Sequence, residues 1–334
     1  MDLPFSAYSS PLPYVQNTCT VKLTNDSLTK QSTAMETQPN APAETRKDVY
    51  GIINSKIIEQ LDKGTVPWQK PWKNGGVPQN LITKKQYHGI NLLLLSMVGF
   101  EHNLFISFNQ LQTIGGKVRR GEKGHMVVYW NVVRKEDTEP RDENAEEKKK
   151  VVLRYYYVFN ISQCENIPER LLPVSRTAEE IPTCESIVSS MPQCPAIKHK
   201  EQRAYYNPTD DFVNMPKKRS FDSDESYYST LFHELVHSTG HENRLNRKTL
   251  TQMSEFGSEA YSIEELIAEM GTCYLQSFAG ITSEFQHSAA YLQGWLGKLK
   301  NDKYFIFQAA SAAQKAVDYI LNIQDTAEET SEQE

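Results

Sequence analysis

Cysteine is scarce in this chain: five in 334 residues, at positions 19, 164, 184, 194 and 273, none in a C-x-x-C spacing. The odd number and the scatter exclude a disulfide framework and point to reduced thiols in the cytosol. Long apolar runs are missing too. No stretch reaches 18 apolar residues, so nothing reads as a membrane span. Met1 to Tyr14 lack a basic start and a continuous apolar core, so they do not read as a secretory signal. Acidic residues are sparse in one region only. Residues 45–135 hold 14 Lys plus Arg against 5 Asp plus Glu, a balance of +9, whereas the whole chain carries −6 and the remainder therefore −15. That asymmetry points to a basic half facing nucleic acid and an acidic half beside it.

The length suggests two domains. Residues 1–44 are rich in Ser, Thr, Pro, Asn and Gln with no sustained period and read as a disordered tail, as do residues 326–334. Val49, Ile52, Ile53, Ile57, Ile58 and Leu61 recur at helical spacing, and Gly64 stops that helix. A Pro/Trp/Lys loop follows, Thr65 to Lys73. Tyr87-His88-Gly89 leads into an apolar helix from Ile90 to Val98, and Phe105 to Phe108 reads as a strand end. Gly115 to Gly124 is a basic, glycine-rich turn, followed by β-rich runs at 126–133 and 151–161. A charged insert, residues 134–150, separates them.

Trp68, Trp72, Tyr87 and Trp130 are interleaved with Lys70, Lys73, Lys84, Lys85, Lys117, Arg119, Arg120 and Lys123. Aromatic faces that stack bases, set among cations that neutralise phosphates, suit single-stranded nucleic acid. The competing reading places the aromatics in a core and the lysines in solvent. Trp72 is the expected stacking platform, because Pro71 holds its loop extended and Lys73 and Asn74-Gly75-Gly76 flank it. Trp68, after Val66-Pro67, is expected to anchor the loop in the core.

The prolines at 168, 173, 182, 192 and 195 mark residues 165–200 as the domain junction, with the linker at 171–200 and a helix near Ala178–Ser190. Tyr205-Tyr206-Asn207 and Asp211 to Pro216 read as a hairpin turning at Asn207-Pro208. Downstream, Glu225 to Arg244 contains His233-Glu234-Leu235-Val236-His237. Two histidines four apart on a helix stack on one face and can share a metal ion, and Glu234 can reach the ion's water. Leu231, Phe232, Leu235 and Val236 make the other faces apolar, so the helix is buried and its polar groups need partners. Gly240 ends it. Glu264 to Glu269 then opens a second amphipathic helix. Faces at Tyr291, Trp295 and Leu299, and from Phe307 to Ile320, read as packing surfaces of two later helices.

A catalytic zinc takes three protein ligands and keeps one position open. A metzincin-type third histidine is excluded, because position 243 is Asn243. The second helix is instead similar to that of gluzincins of the thermolysin type, in which a glutamate completes the ligand set and a second acid follows four residues on. That resemblance assigns Glu265 as the third ligand and Glu269 as the residue behind it, orienting a histidine; the alternative exchanges the two roles. Glu264 reads as a solvated acidic helix start. Tyr227, Tyr228 and His241 are the candidates for an oxyanion donor.

Several segments together resemble one family. Tyr50 to Trp72, Tyr87-His88-Gly89-Ile90-Asn91 and Gly115 to Gly124 are similar to the N-terminal domain of the ArdC antirestriction family. Tyr205-Tyr206 through His233–Arg244 to about Leu321 is similar to that family's zincin-like metallopeptidase domain. The family usually has Arg where His88 stands, which would weaken one phosphate contact. The resemblance implies an α+β protein of two domains, a single-stranded-DNA-binding domain at 45–170 and a zincin-like domain at 201–325. It also implies a zinc-dependent hydrolase-like centre. Such proteins are carried on conjugative plasmids and integrative elements and protect entering DNA from restriction. In zincins the strand before the metal helix is an edge that pairs with an extended peptide, so Val213-Asn214-Met215 is expected to line the cleft. The expected activity is peptide hydrolysis in the cytoplasm with Glu234 as base. The rival expectation is a DNA-coating shield with a structural or vestigial metal site.

Overall fold

Val49, Ile53, Ile57 and Leu61 recur every four residues and form the buried stripe of α1 (Val49–Asp62) in the computed structural model. The Asp48 side chain accepts from the Gly51 N–H at 3.1 Å and caps its start. The structure describes residues 48–68, 76–100, 102–133, 150–172, 183–251, 259–281 and 289–323. The loop carrying Lys70, Trp72 and Lys73, the N-terminal tail and the insert at 134–149 lie outside the described residues.

The first half continues with β1 (Gln79–Asn80), α2 (Gly89–Ser96), β2 (Leu104–Ser107), α3 (Phe108–Thr113), β3 (Lys117–Val118), β4 (His125–Val133), β5 (Lys150–Asn160) and β6 (Cys164–Glu165). Strands β1, β2, β5 and β4 make one sheet in that order, and β3 pairs with β6. β4 and β5 run antiparallel, with Met126 opposite Tyr157 and Trp130 opposite Leu153. As the last strand, β4 offers an open edge. Asn91 of α2 covers it, donating to the Val128 carbonyl at 2.7 Å and accepting from the Val128 N–H at 2.8 Å.

The second half comprises α4 (Cys184–Ser190), β7 (Ala196–Lys198), β8 (Tyr205–Asn207), β9 (Phe212–Asn214), α5 (Asp224–Thr239), α6 (Lys248–Thr251), α7 (Glu259–Ala279), α8 (Ala289–Asn301) and α9 (Phe305–Ile320). Two expectations are corrected here. Residues 183–200 are not a linker, because α4 packs on α9 and β7 pairs in parallel with β9. That pairing places β9 in the middle of a three-stranded sheet, between β7 and β8. Phe212, Val213 and Asn214 are all buried, so this strand is no edge for a peptide.

The two halves share one hydrophobic core. α1 packs on α8, and α2 on α9. Trp68, 2% exposed, meets Trp295 edge to face with ring centroids 5.3 Å apart, as expected of a core anchor. Asn54 Nδ2 donates to the Leu299 carbonyl at 2.6 Å, and the Gly89 N–H to Gln314 Oε1 at 2.9 Å. Separating the halves near residue 170 would strip apolar cover from both. Among the described residues, no helix is long and apolar enough to cross a membrane.

Candidate metal centre

Ser223 caps α5 by accepting from the Ser226 N–H. Leu231, Phe232, Leu235 and Val236 are buried, each at most 2% exposed, which fixes the rotation of α5. His233 and His237 then lie one above the other, with their Nε2 atoms 3.1 Å apart. On α7, Glu265 places Oε2 3.6 Å from His233 Nε2 and Oε1 3.6 Å from His237 Nε2. These three side chains offer ligand atoms that all lie within 4.8 Å of one another. Bonds of about 2.0–2.2 Å at tetrahedral angles separate ligand atoms by about 3.3 Å, so the donor set fits a metal ion.

One residue lets α7 come this close. A Cβ on Gly271 would lie 2.9 Å from Val236 Cγ2 and 3.0 Å from its Cγ1. The bare backbone of Gly271 is what permits α5 and α7 to pack at the distance that joins their ligands.

Behind the histidines the structure departs from the sequence reading. Glu264, expected to be solvated, is 1% exposed, and its Oε1 lies 3.3 Å from His237 Nδ1. The reason is that α7 begins at Glu259, so Glu264 sits more than a turn inside the helix and not at its tip. Arg247 donates to both oxygens of Glu264, through Nε at 3.1 Å and through Nη2, and the Thr249 hydroxyl donates to Oε2. Arg247 also donates to the Val236 carbonyl at 2.8 Å and to the Thr239 hydroxyl, strapping the end of α5 to α7. The carboxylate at His237 Nδ1 is thus Glu264, which the sequence placed in solvent. Glu269 is buried one turn beyond Glu265.

Charge follows from burial and neighbours. Burial raises Glu264, but Arg247 and His237 outweigh it and hold the carboxyl down to about 2. Burial works against a charged His233, yet its hydrogen bond to Glu265 and the charges of Glu234, Glu269 and Glu265 lift it to about 9. Burial also raises Glu265, but His233, His237 and a hydrogen bond from Tyr261 bring it below the usual range. Burial, opposed by the histidines, leaves Glu269 at about 7. The pocket thus favours positive charge between the carboxylates, whether proton or metal. Glu234, 8% exposed, follows His233 directly and faces about 100° further round α5.

Of the three candidate oxyanion donors, Tyr228 is engaged elsewhere: its hydroxyl donates to Glu185 and accepts from Lys218 Nζ at 3.4 Å. Tyr227 is buried between His199 and Phe221, and His241 Nδ1 accepts from the Asn243 N–H at 3.2 Å. Sequence reasoning missed Tyr261, whose signal was its position four residues before Glu265 on the helix. It also missed Arg247, which no local pattern marks.

Two family models match the chain. Residues 47–159 match the N-terminal domain of the anti-restriction factor ArdC, and residues 185–312 match a zincin-like metallopeptidase. The metal-free crystal structure of antirestriction ArdC protein from plasmid R388 shares 37% identity with a TM-score of 0.69, covering 82% of this chain and 96% of that one. The chain belongs to the ArdC antirestriction family. The Mn(II)-bound structure of the R388 protein gives 35% identity and a TM-score of 0.66 over 82% of this chain and 97% of that one. An uncharacterized protein, y4eC, of Sinorhizobium fredii is 32% identical over 83% of this chain and 92% of its own. Two DNA primase TraC proteins of Escherichia coli are 35% and 33% identical over 84% and 83% of this chain, which spans only 27% and 20% of their lengths. The family's two-domain, α+β architecture is therefore that of this chain, with a core common to both halves.

In the ArdC-type N-terminal half, Lys117, Arg119, Arg120 and Lys123 are all exposed around the glycine-rich turn. Gln163, 3% exposed, pins that turn. Its carbonyl accepts from the Arg119 N–H at 2.9 Å, and its Nε2 donates to Glu122 at 2.9 Å and to the Lys123 carbonyl at 3.0 Å. Tyr87 does not offer a stacking face. It is 9% exposed and set edge to face against Phe105, because it packs into a cluster with Leu95, Phe105, Val127 and Val158. Trp130 is 51% exposed and remains an open aromatic.

Proposed function

We propose that this ArdC-family chain binds single-stranded DNA, and that its metal centre holds zinc and hydrolyses a peptide bond in the course of antirestriction. The observation that carries the hydrolytic reading is the convergence of His233, His237 and Glu265 with the buried Glu234 beside them. Two imidazoles and one carboxylate leave a coordination position open, the donor set of catalytic rather than structural zinc. Bound zinc would polarise the scissile carbonyl and acidify water. Glu234 takes the proton of the attacking water and returns it to the leaving amine. Glu264 holds His237 with Nδ1 protonated, so that Nε2 keeps its lone pair for the metal. Tyr261 fixes Glu265 in the same way. The exposed turn of Lys117, Arg119, Arg120 and Lys123 supports the DNA reading, in which these cations meet phosphates. The setting is the cytoplasm of a cell receiving a mobile element.

A second reading is a shield that coats the strand while the metal is structural. It is favoured by the ligands' position on two helices, α5 and α7, which a metal would join. Glu234→Gln in the full chain separates the two. The variant is expected to retain metal and lose hydrolysis and protection of incoming DNA. Full protection by a metal-loaded but hydrolytically dead variant would establish the shield.

A further inference from the structure

A second concave surface is built by α9, the start of α1, the outer end of β4 and the segment after α5, enclosing about 700 Å³. Its α9 wall presents Tyr304, Gln308 and Lys315, all exposed, while Phe305, Ile306, Ala309, Ala313, Ala316, Val317 and Ile320 point into the core. Core packing therefore does not account for the outer stripe. Tyr50 faces it from α1 and Trp130 from β4. Trp130 is 51% and Tyr304 45% exposed, so both rings keep open surface. Among the ten described residues lining the groove two are cations and none is an acid, in a chain whose net charge is −6. Arg247 directs its donors to Glu264, Thr239 and the α5 backbone, so its charge is already neutralised. Lys315 has no acidic partner among the described residues and is the cation left for a ligand.

We propose that this groove is a nucleotide subsite of the single-stranded DNA interface, with a base against Trp130 and Tyr304 and the adjoining phosphate on Lys315. It rests on the proposed single-strand binding and adds a location for it remote in sequence from the basic turn. Exposed aromatic rings beside a cation, with no carboxylate among the described lining residues, match a base and its phosphate. An extended peptide would look instead for a sheet edge, and the α9 wall is a helix face whose backbone is already hydrogen-bonded. The site thus draws on both halves of the chain, Trp130 from the first and Lys315 from the second. This agrees with their common core.

The test uses the full-length protein, a fluorescein-labelled twelve-residue oligothymidylate and fluorescence anisotropy over a range of salt. Trp130→Ala is expected to weaken binding roughly five- to hundredfold, with Trp130→Phe restoring most of it. Lys315→Glu is expected to weaken binding and flatten the salt dependence. Both positions are exposed, so the thermal midpoints of the variants should match the parent. A parent that binds while Trp130→Ala and Lys315→Glu bind equally well would overturn the groove and leave the proposed function standing. A parent that binds no oligonucleotide at any salt would overturn both.

Discussion

Replacing Glu264 by Gln keeps the shape of the side chain and removes its charge. In the parent, Glu264 is 1% exposed, accepts from both Nε and Nη2 of Arg247, and lies 3.3 Å from His237 Nδ1. The variant leaves the Arg247 guanidinium, itself only 10% exposed, without a countercharge. Removing one partner of such a buried pair costs about 3–5 kcal/mol. For a unit spanning Lys47–Glu334 that is a fall in thermal midpoint of roughly 5–8 °C. A separate effect falls on the metal. The carboxylate no longer raises the basicity of His237, and loss of a partner of this kind costs about 10- to 100-fold in metal affinity. Calorimetry of the metal-free protein reads the first effect, and competition against a chromophoric chelator reads the second. Arg247→Lys should reproduce much of the stability loss, since a lysine cannot hold two carboxylate oxygens and two α5 acceptors at once. A Glu264→Gln protein with the parent's midpoint and metal affinity would refute the reasoning, because neither the ion pair nor the histidine contact would then matter.

His233→Ala or Glu265→Ala should abolish stoichiometric metal binding, read by metal analysis after gel filtration, whereas Glu269→Ala should retain the metal. In the metal-free protein His233 titrates near 9 instead of 6.5, so its stabilising proton is present below pH 6.5 and lost as pH rises through 9. Apparent metal affinity should accordingly rise about tenfold per pH unit over that interval, with roughly one proton released, measurable by titration in buffers of different ionisation enthalpy. Glu264 acts in the other direction: held at about 2 against its usual 4.5, it stabilises above pH 4.5, and its contribution fades as pH falls from 4.5 towards 2. Gly271→Ala should lower thermal midpoint and metal affinity together, although alanine is the better helix former by about 1 kcal/mol. The new methyl meets the stiff Val236 at 2.9 Å. Loss of Arg119 and Arg120 together should reduce the salt slope of oligonucleotide binding by about one to two.

Some of this protein was legible along the chain, because it depends on near neighbours. The stripe of α1, the β4 and β5 strands, and the stacking of His233 over His237 follow from helical or strand period within a dozen residues. Glu265 was reachable through a family spacing, and Trp68 through the Val66-Pro67 that precedes it. Other features depend on residues far apart in sequence. The middle position of β9 is set by β7, 16 residues earlier in register, and no alternation within Phe212–Asn214 records which neighbours a strand has. Tyr87 and Trp130 are both aromatic residues in basic surroundings, yet one is covered by Phe105 and the other is left open at the end of β4. Glu264 and Glu265 are consecutive glutamates, chemically indistinguishable in the sequence. Rotation by about 100° along α7 aims one at Arg247 and His237 Nδ1 and the other at the two Nε2 atoms. Local period determines that a helix forms and which side is apolar. Which of its polar groups meets a cation, a histidine or water is decided by packing against distant segments, since a buried charge persists only where folding supplies its partner.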